Sequence, residues 1–119
     1  ITTTPSTEAL IYADWVRPGT LITAVGADTP LKQELDSRLL EKADLVVSDS
    51  LSQAKTRGEV YRAVQQGHLE SASVIELATL LFDSSAPARG EGFITIVDLT
   101  GVAVQDLAIA SAVAHQLGL

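Results

Sequence analysis

Short apolar runs that stop at glycine, proline or an acid, each followed by a helical pattern, constrain this 119-residue chain more than any other feature. The clearest case is Thr20–Leu35, TLITAVGADTPLKQEL. Leu21, Ile22, Ala24 and Val25 form an apolar run bounded by Pro18-Gly19 on one side and Gly26 on the other. A run of that length between turn residues reads as a strand buried on both faces. Gly26-Ala27-Asp28-Thr29-Pro30 then turns the chain, and Lys32, Gln33 and Glu34 follow. An acid there lies at the strand's carboxyl end, the edge where open parallel sheets bind ligands. Turn chemistry alone also accounts for such a cluster, because Asp caps and stiffens turns.

The pattern recurs along the chain. Ile1–Thr4 is β-branched and reads as the tail of a strand, ended by Pro5-Ser6-Thr7. Trp15 lies in a loop before Pro18-Gly19 and is expected to anchor packing with its large ring. Asp36 reads as an N-cap, with Leu39, Leu40 and Ala43 on one helical face. Asp44–Asp49 is the third strand. Ser50 and Gln53 have capping-box spacing, which predicts a short helix ending near Gly58. Val60–Leu69 is ambiguous. Ser73 and Glu76 have the same spacing and predict a helix that buries Val74, Leu77, Ala78 and Leu81. Asp83–Gly92 is loop, and Phe93–Val97 is the fourth strand. The last helix is predicted over about Val104–Leu117, with Val104, Leu107, Ala108, Ser111, Ala114 and His115 on one face and Gly118 as its C-cap.

Strands alternating with helices imply a parallel sheet with right-handed crossovers. Three strand exits carry small or polar residues: Thr3-Thr4-Pro5, Gly26-Ala27-Asp28 and Leu99-Thr100-Gly101. In a parallel sheet all three share one edge, and this coincidence strengthens the functional reading of Asp28.

Composition narrows the function classes. Hydrophobic residues make up 46% and aromatics 4%, which suits aliphatic strands covered by helices. Eight basic against fifteen acidic residues give a net charge of −7, which argues against nucleic acid or an anionic membrane surface as a partner. No apolar run approaches the ~20 residues of a membrane span. Ile1–Thr4 does not read as a signal peptide. Cysteine is absent and His68 and His115 lack ligand spacing, so no metal site is expected and a cytoplasmic location is. Position 1 is not Met, which reads as a piece of a longer protein.

The blocks TTTPS, WVRPGTLITAVGADTPLKQEL, ADLVVSDS and IVDLTGVAVQDLA, in that order and spacing, resemble the ornithine cyclodeaminase/μ-crystallin family over almost the whole chain. GADTPLKQELD is most similar to the bacterial and archaeal, alanine dehydrogenase-like branch. The resemblance implies an α/β fold: a Rossmann-like parallel sheet with flanking helices, here the second half of a dinucleotide-binding domain over residues 1–98. Residues 99–119 would be a helix returning toward a separate substrate and dimerisation domain. It also implies NAD or NADP as cofactor, an amino acid or cyclic imine as substrate, and a homodimer in the full-length protein. By that similarity Asp28 is the catalytic acid/base. Thr2, Thr3, Thr4, Val25, Gly26, Ala27, Asp28, Lys32 and Leu99 face the cofactor, and Thr100 and Gly101 the substrate. Many members carry Ser where this chain has Leu99. No G-x-G-x-x-G is present for the pyrophosphate. A relative that binds ligand without turnover, or a scaffold with no site on this piece, are the competing readings.

Overall fold

The computed structural model describes residues 1–118. A four-stranded, wholly parallel sheet organises it, built from β1 (Leu21–Ala24), β2 (Leu45–Ser48), β3 (Ile75–Glu76) and β4 (Thr95–Asp98), in spatial order β1-β4-β2-β3. β4 is therefore central, and the chain reaches it last. Thr2 extends the sheet past β1 through a parallel bridge to Ala24. The register aligns Ala24, Asp98, Ser48 and Glu76 in one row across the carboxyl edge. The expected Rossmann-like α/β architecture is thus present, as is the shared edge of strand exits.

The helices are α1 (Ser37–Lys42), α2 (Gly58–Gln65), α3 (Leu77–Phe82) and α4 (Ala103–Leu117). α1 starts where Asp36 accepts a hydrogen bond from the Arg38 N–H at 3.0 Å, the capping that its position predicts. It buries Leu39 and Leu40 in the core. The core is aliphatic, with Ile22, Leu35, Leu39, Val46, Val60 and Ile96 at its centre. β2 is buried along its whole length, as a strand flanked on both sides and covered on both faces must be.

Both predicted capping boxes fail, for the same reason. Residues 51–57 form a run of turns, and the helix begins at Gly58 rather than ending there. Gln53 does not reach back to Ser50; its side-chain oxygen accepts from Thr100 and Arg57. Glu76 likewise accepts from the Leu51 N–H at 3.0 Å instead of capping Ser73. Ile75-Glu76 is then free to pair with Val47-Ser48 as β3, and α3 begins only at Leu77. Of the four residues expected to be buried there, Val74 is, whereas Leu81 is exposed.

Two other expectations need correction. Trp15 is 67% exposed and packs edge-on against Tyr12, with ring centroids 4.8 Å apart, so it is no core anchor. α4 occupies nearly its expected span and ends at Gly118 with φ of 72°, a left-handed C-cap. Yet it buries no residue, and Val104, Leu107, Ile109 and Val113 all face outward.

Removing side chain from the middle of β4 should be costly. Ile96→Ala is expected to lose about 2–5 kcal/mol in urea unfolding, since Ile96 is fully buried between β1 and β2. Asp36→Ala should lose about 1 kcal/mol through its cap.

Candidate functional site at the carboxyl edge of the sheet

The three predicted exits do converge. Thr2 donates its N–H to Thr23 O and accepts the Val25 N–H, both at 2.9 Å, so the first exit lies directly beside the second. The Leu99 N–H reaches Ala24 O at 2.8 Å, which brings the third exit to the other side of β1. The edge therefore carries Thr2–Thr4, Val25–Asp28 and Leu99–Gly101 as neighbours.

Their side chains face different ways. Asp28 is exposed and pairs with Lys32 Nζ at 2.6 Å, one helical turn on in sequence. That hydrogen bond and positive charge hold its carboxyl below the usual carboxylate range, so it is an anion at neutral pH. Thr3 and Val25 are exposed at the edge, and Ala27 is buried beneath it. Thr2 turns its hydroxyl inward to Glu34 at 2.8 Å. Thr100 is also turned in: its hydroxyl lies 2.8 Å from Gln53 Oε1 and 3.2 Å from Asp49 Oδ1, and Asp49 Oδ2 accepts the Gly101 N–H at 2.8 Å. What the third exit offers a ligand is therefore backbone and the half-buried Leu99.

Residues that the sequence did not single out hold this edge in place. Glu34 is fully buried and accepts from Thr2 Oγ1, the Thr4 N–H and the Gly26 N–H at 2.8, 2.5 and 2.8 Å. Burial opposes its ionisation, but these donors outweigh burial and keep it ionised below the usual range. Glu59, in the first turn of α2, accepts the Glu34 N–H at 2.6 Å and the Leu35 N–H at 3.2 Å. Asp98, at the end of β4, accepts the Val60 N–H at 2.9 Å and so caps α2 from another strand, a task Arg57 does not perform. A β-carbon on Gly58 would collide with that same carboxylate.

Burial, reinforced by the nearby Asp98 and Glu34 charges, raises Glu59 to about 8. Burial, with Asp49 and Glu34 adding to it, raises Asp98 to about 6. The only signal that could have found these acids was their placement: one beside an apolar residue before Asp36, one opening an amphipathic helix, one ending a strand.

A partly open pocket of about 290 Å³ lies elsewhere, between the 51–55 turns, α2 and the 71–74 segment, lined by Leu51, Ala54, Lys55, Tyr61, Val64 and Val74 among others. It contains none of the edge residues named above.

Residues 1–118 match the sequence profile of the ornithine cyclodeaminase/mu-crystallin family. The chain is 44% identical over 117 residues to an alanine dehydrogenase of Archaeoglobus fulgidus, a match covering 95% of this chain and 35% of that protein. Its fold superposes on the iminosuccinate reductase of Paracoccus denitrificans solved in complex with NAD+, with a TM-score of 0.87, 37% identity and coverage of 95% and 34% of the two chains. An archaeal alanine dehydrogenase dimer with bound NAD gives 0.86, 40%, 98% and 38%. The chain thus spans about a third of the length of the relatives it matches.

Stability should respond to pH through Glu59. Its folded value lies above the ordinary 4.5, so the native state binds the extra proton and stability falls as pH rises from about 4.5 to about 8. Asp98 adds the same sign between 3.8 and about 6. The expected slope for one group is at most about 1.4 kcal/mol per pH unit. Urea unfolding at several pH values should show the wild type losing stability between pH 6 and 8, and Glu59→Gln flattening that segment.

Proposed function

This chain belongs to the ornithine cyclodeaminase/mu-crystallin family, and from that premise we propose that it forms the nicotinamide-side half of the cofactor domain in an NAD(P)-dependent oxidoreductase or cyclodeaminase acting on an amino acid or cyclic imine. On this reading residues 1–98 are the second half of the dinucleotide-binding domain and α4 leads to the remainder of a homodimeric protein. The observation that carries the proposal is the meeting of three strand exits on one edge, with an exposed, ionised carboxylate at Asp28 among them. The relatives solved with NAD+ or NAD bound share this fold, which supports the same cofactor here.

The residues present suit one end of that cofactor. Thr3, Val25 and the backbone of Gly26, Leu99 and Gly101 give a small-residue surface at the carboxyl edge, the place where an open parallel sheet accepts a dinucleotide. Residues 1–118 offer no glycine-rich turn for the pyrophosphate, so these residues would hold the nicotinamide end only. When bound, the cofactor supplies hydride exchange with the substrate α-carbon.

The chain's own contribution is electrostatic and protonic. Asp28 is held as an anion by Lys32, so it stabilises positive charge developing on an iminium nitrogen beside the edge. As an exposed base it also takes a proton from an amine or a water and returns it. Lys32 pairs with the carboxylate at 2.6 Å and orients it. Ala27 is buried beneath the loop and excludes water there.

Full-length protein assayed with NAD(H) or NADP(H) against ornithine, alanine or pyruvate plus ammonia, and pyrroline carboxylate tests the reading. Turnover of one of these is expected. Asp28→Asn should lower kcat by about 10²–10⁴-fold, with cofactor affinity changed less than about threefold. Unimpaired turnover in that variant removes Asp28 from the mechanism. Cofactor binding with no turnover of any substrate would favour a non-catalytic binder.

A further inference from the structure

Glu34 is a buried carboxylate that the proposed chemistry does not use. Among the described residues no cation pairs with it. Its three donors are one hydroxyl and two backbone N–H groups, and they come from two separate segments: Thr2 and Thr4 from the first strand exit, and Gly26 from the second. These are the segments that flank Asp28.

The placement is informative. Ladder pairing between the two segments ends with the Thr2–Thr23 and Val25–Thr2 hydrogen bonds. One residue further on, no strand pairing joins them, and there the Glu34 carboxylate bridges them instead. The approach at this point is as close as backbones allow, since a β-carbon on Gly26 would collide with the Thr4 carbonyl and the Glu34 carboxyl. The bond from Gly26 to the Glu34 side chain also closes residues 26–34 into a loop, with Asp28 and Lys32 on its outer arc. Glu34 is itself fixed from behind. Its N–H is held by Glu59, and its carbonyl accepts from Leu10 and Ile11 at 2.7 and 3.1 Å.

We propose that Glu34 is a positioning residue for this edge: its buried carboxylate sets the spacing of the Thr2–Thr4 and Gly26–Asp28 segments and thereby the orientation of Asp28 and of the backbone that faces the cofactor. The proposal rests on the reading of this edge as the nicotinamide site. A side chain needed only for packing would be served by a Leu or Met of similar size. Three converging donors require an acceptor with several lone pairs on two oxygens, which of the similar side chains only a carboxylate supplies. Gln would turn an N–H toward at least one donor, so the bridge opens while volume is kept.

The test uses the full-length protein and Glu34→Gln, with Ile96→Val as a control that weakens the core away from the edge. Glu34→Gln is expected to raise the cofactor KM about tenfold and to lower kcat by up to about a hundredfold, the scale of an ångström-level misplacement. Ile96→Val is expected to lose thermal stability with both constants within twofold of wild type. In wild-type protein, amide hydrogen exchange should show the Thr4 and Gly26 N–H groups protected, and a measurement on wild type stands even if the variant does not fold. Glu34→Gln kinetics within twofold of wild type overturn the proposal, as does unprotected exchange at both amides. Losses in Glu34→Gln that the control matches at equal stability reduce Glu34 to a structural role and also overturn it. Wild-type protein that neither binds nor turns over NAD(H) or NADP(H) overturns the functional reading and this role with it, whereas an active wild type with an indifferent Glu34→Gln overturns this role alone.

Discussion

The carboxyl edge depends on acids buried where a sheet of this kind would ordinarily place aliphatic side chains. Taking a carboxylate out of water costs several kcal/mol unless it is fully hydrogen-bonded. Each hydrogen bond to a charged group returns about 1.5–3 kcal/mol. Glu34, with three donors, can offset its burial and stay ionised. Glu59, with two backbone donors and two acidic neighbours, cannot, and it takes up a proton instead. At neutral pH Glu34 therefore carries its charge and Glu59 does not, because desolvation dominates at Glu59 and outweighs its two donors.

The same acids replace local caps with long-range ones. α2 is started by Asp98, from a strand 38 residues away, and Glu34 is located by Glu59, 25 residues away. Strand, helix and loop are consequently tied at the row Ala24–Asp98–Ser48 rather than through their own turns. Displacing one member moves the others, because five of the six donors these three carboxylates hold are backbone N–H groups.

This explains what the sequence could and could not convey. The runs of β1, β2 and β4, the Asp36 cap, the Gly118 stop and the common edge of the exits are local or periodic features and are legible, whereas β3 is not. The two capping boxes had the right spacing and the wrong partners: Gln53 serves Thr100, 47 residues on, and Glu76 serves Leu51. No local pattern reports such a partner. Glu34 was hidden in a different way, since Lys32-Gln33-Glu34 looks like a solvated polar stretch, although Gln33 and Glu34 are both buried. α4 misled because its apolar residues run all the way round. Choosing one face there was arbitrary, and none of the faces is covered by the described residues.

Asp28 and Glu34 are chemically alike and placed in opposite environments, and the contrast is mechanically useful. On the proposed reading Asp28 exchanges protons with substrate and must be reachable, which its place on an open turn allows. An open turn by itself is a poor platform, because its backbone samples several conformations and catalysis falls steeply with misplacement. Tying both ends of the turn to a second, buried carboxylate separates the two requirements. The outer arc stays accessible while its endpoints are fixed to the sheet. Lys32 then limits the side chain's own freedom without burying it. On the proposed reading the edge gains precision from buried groups such as Glu34 and Glu59, which residue types at the strand exits do not convey.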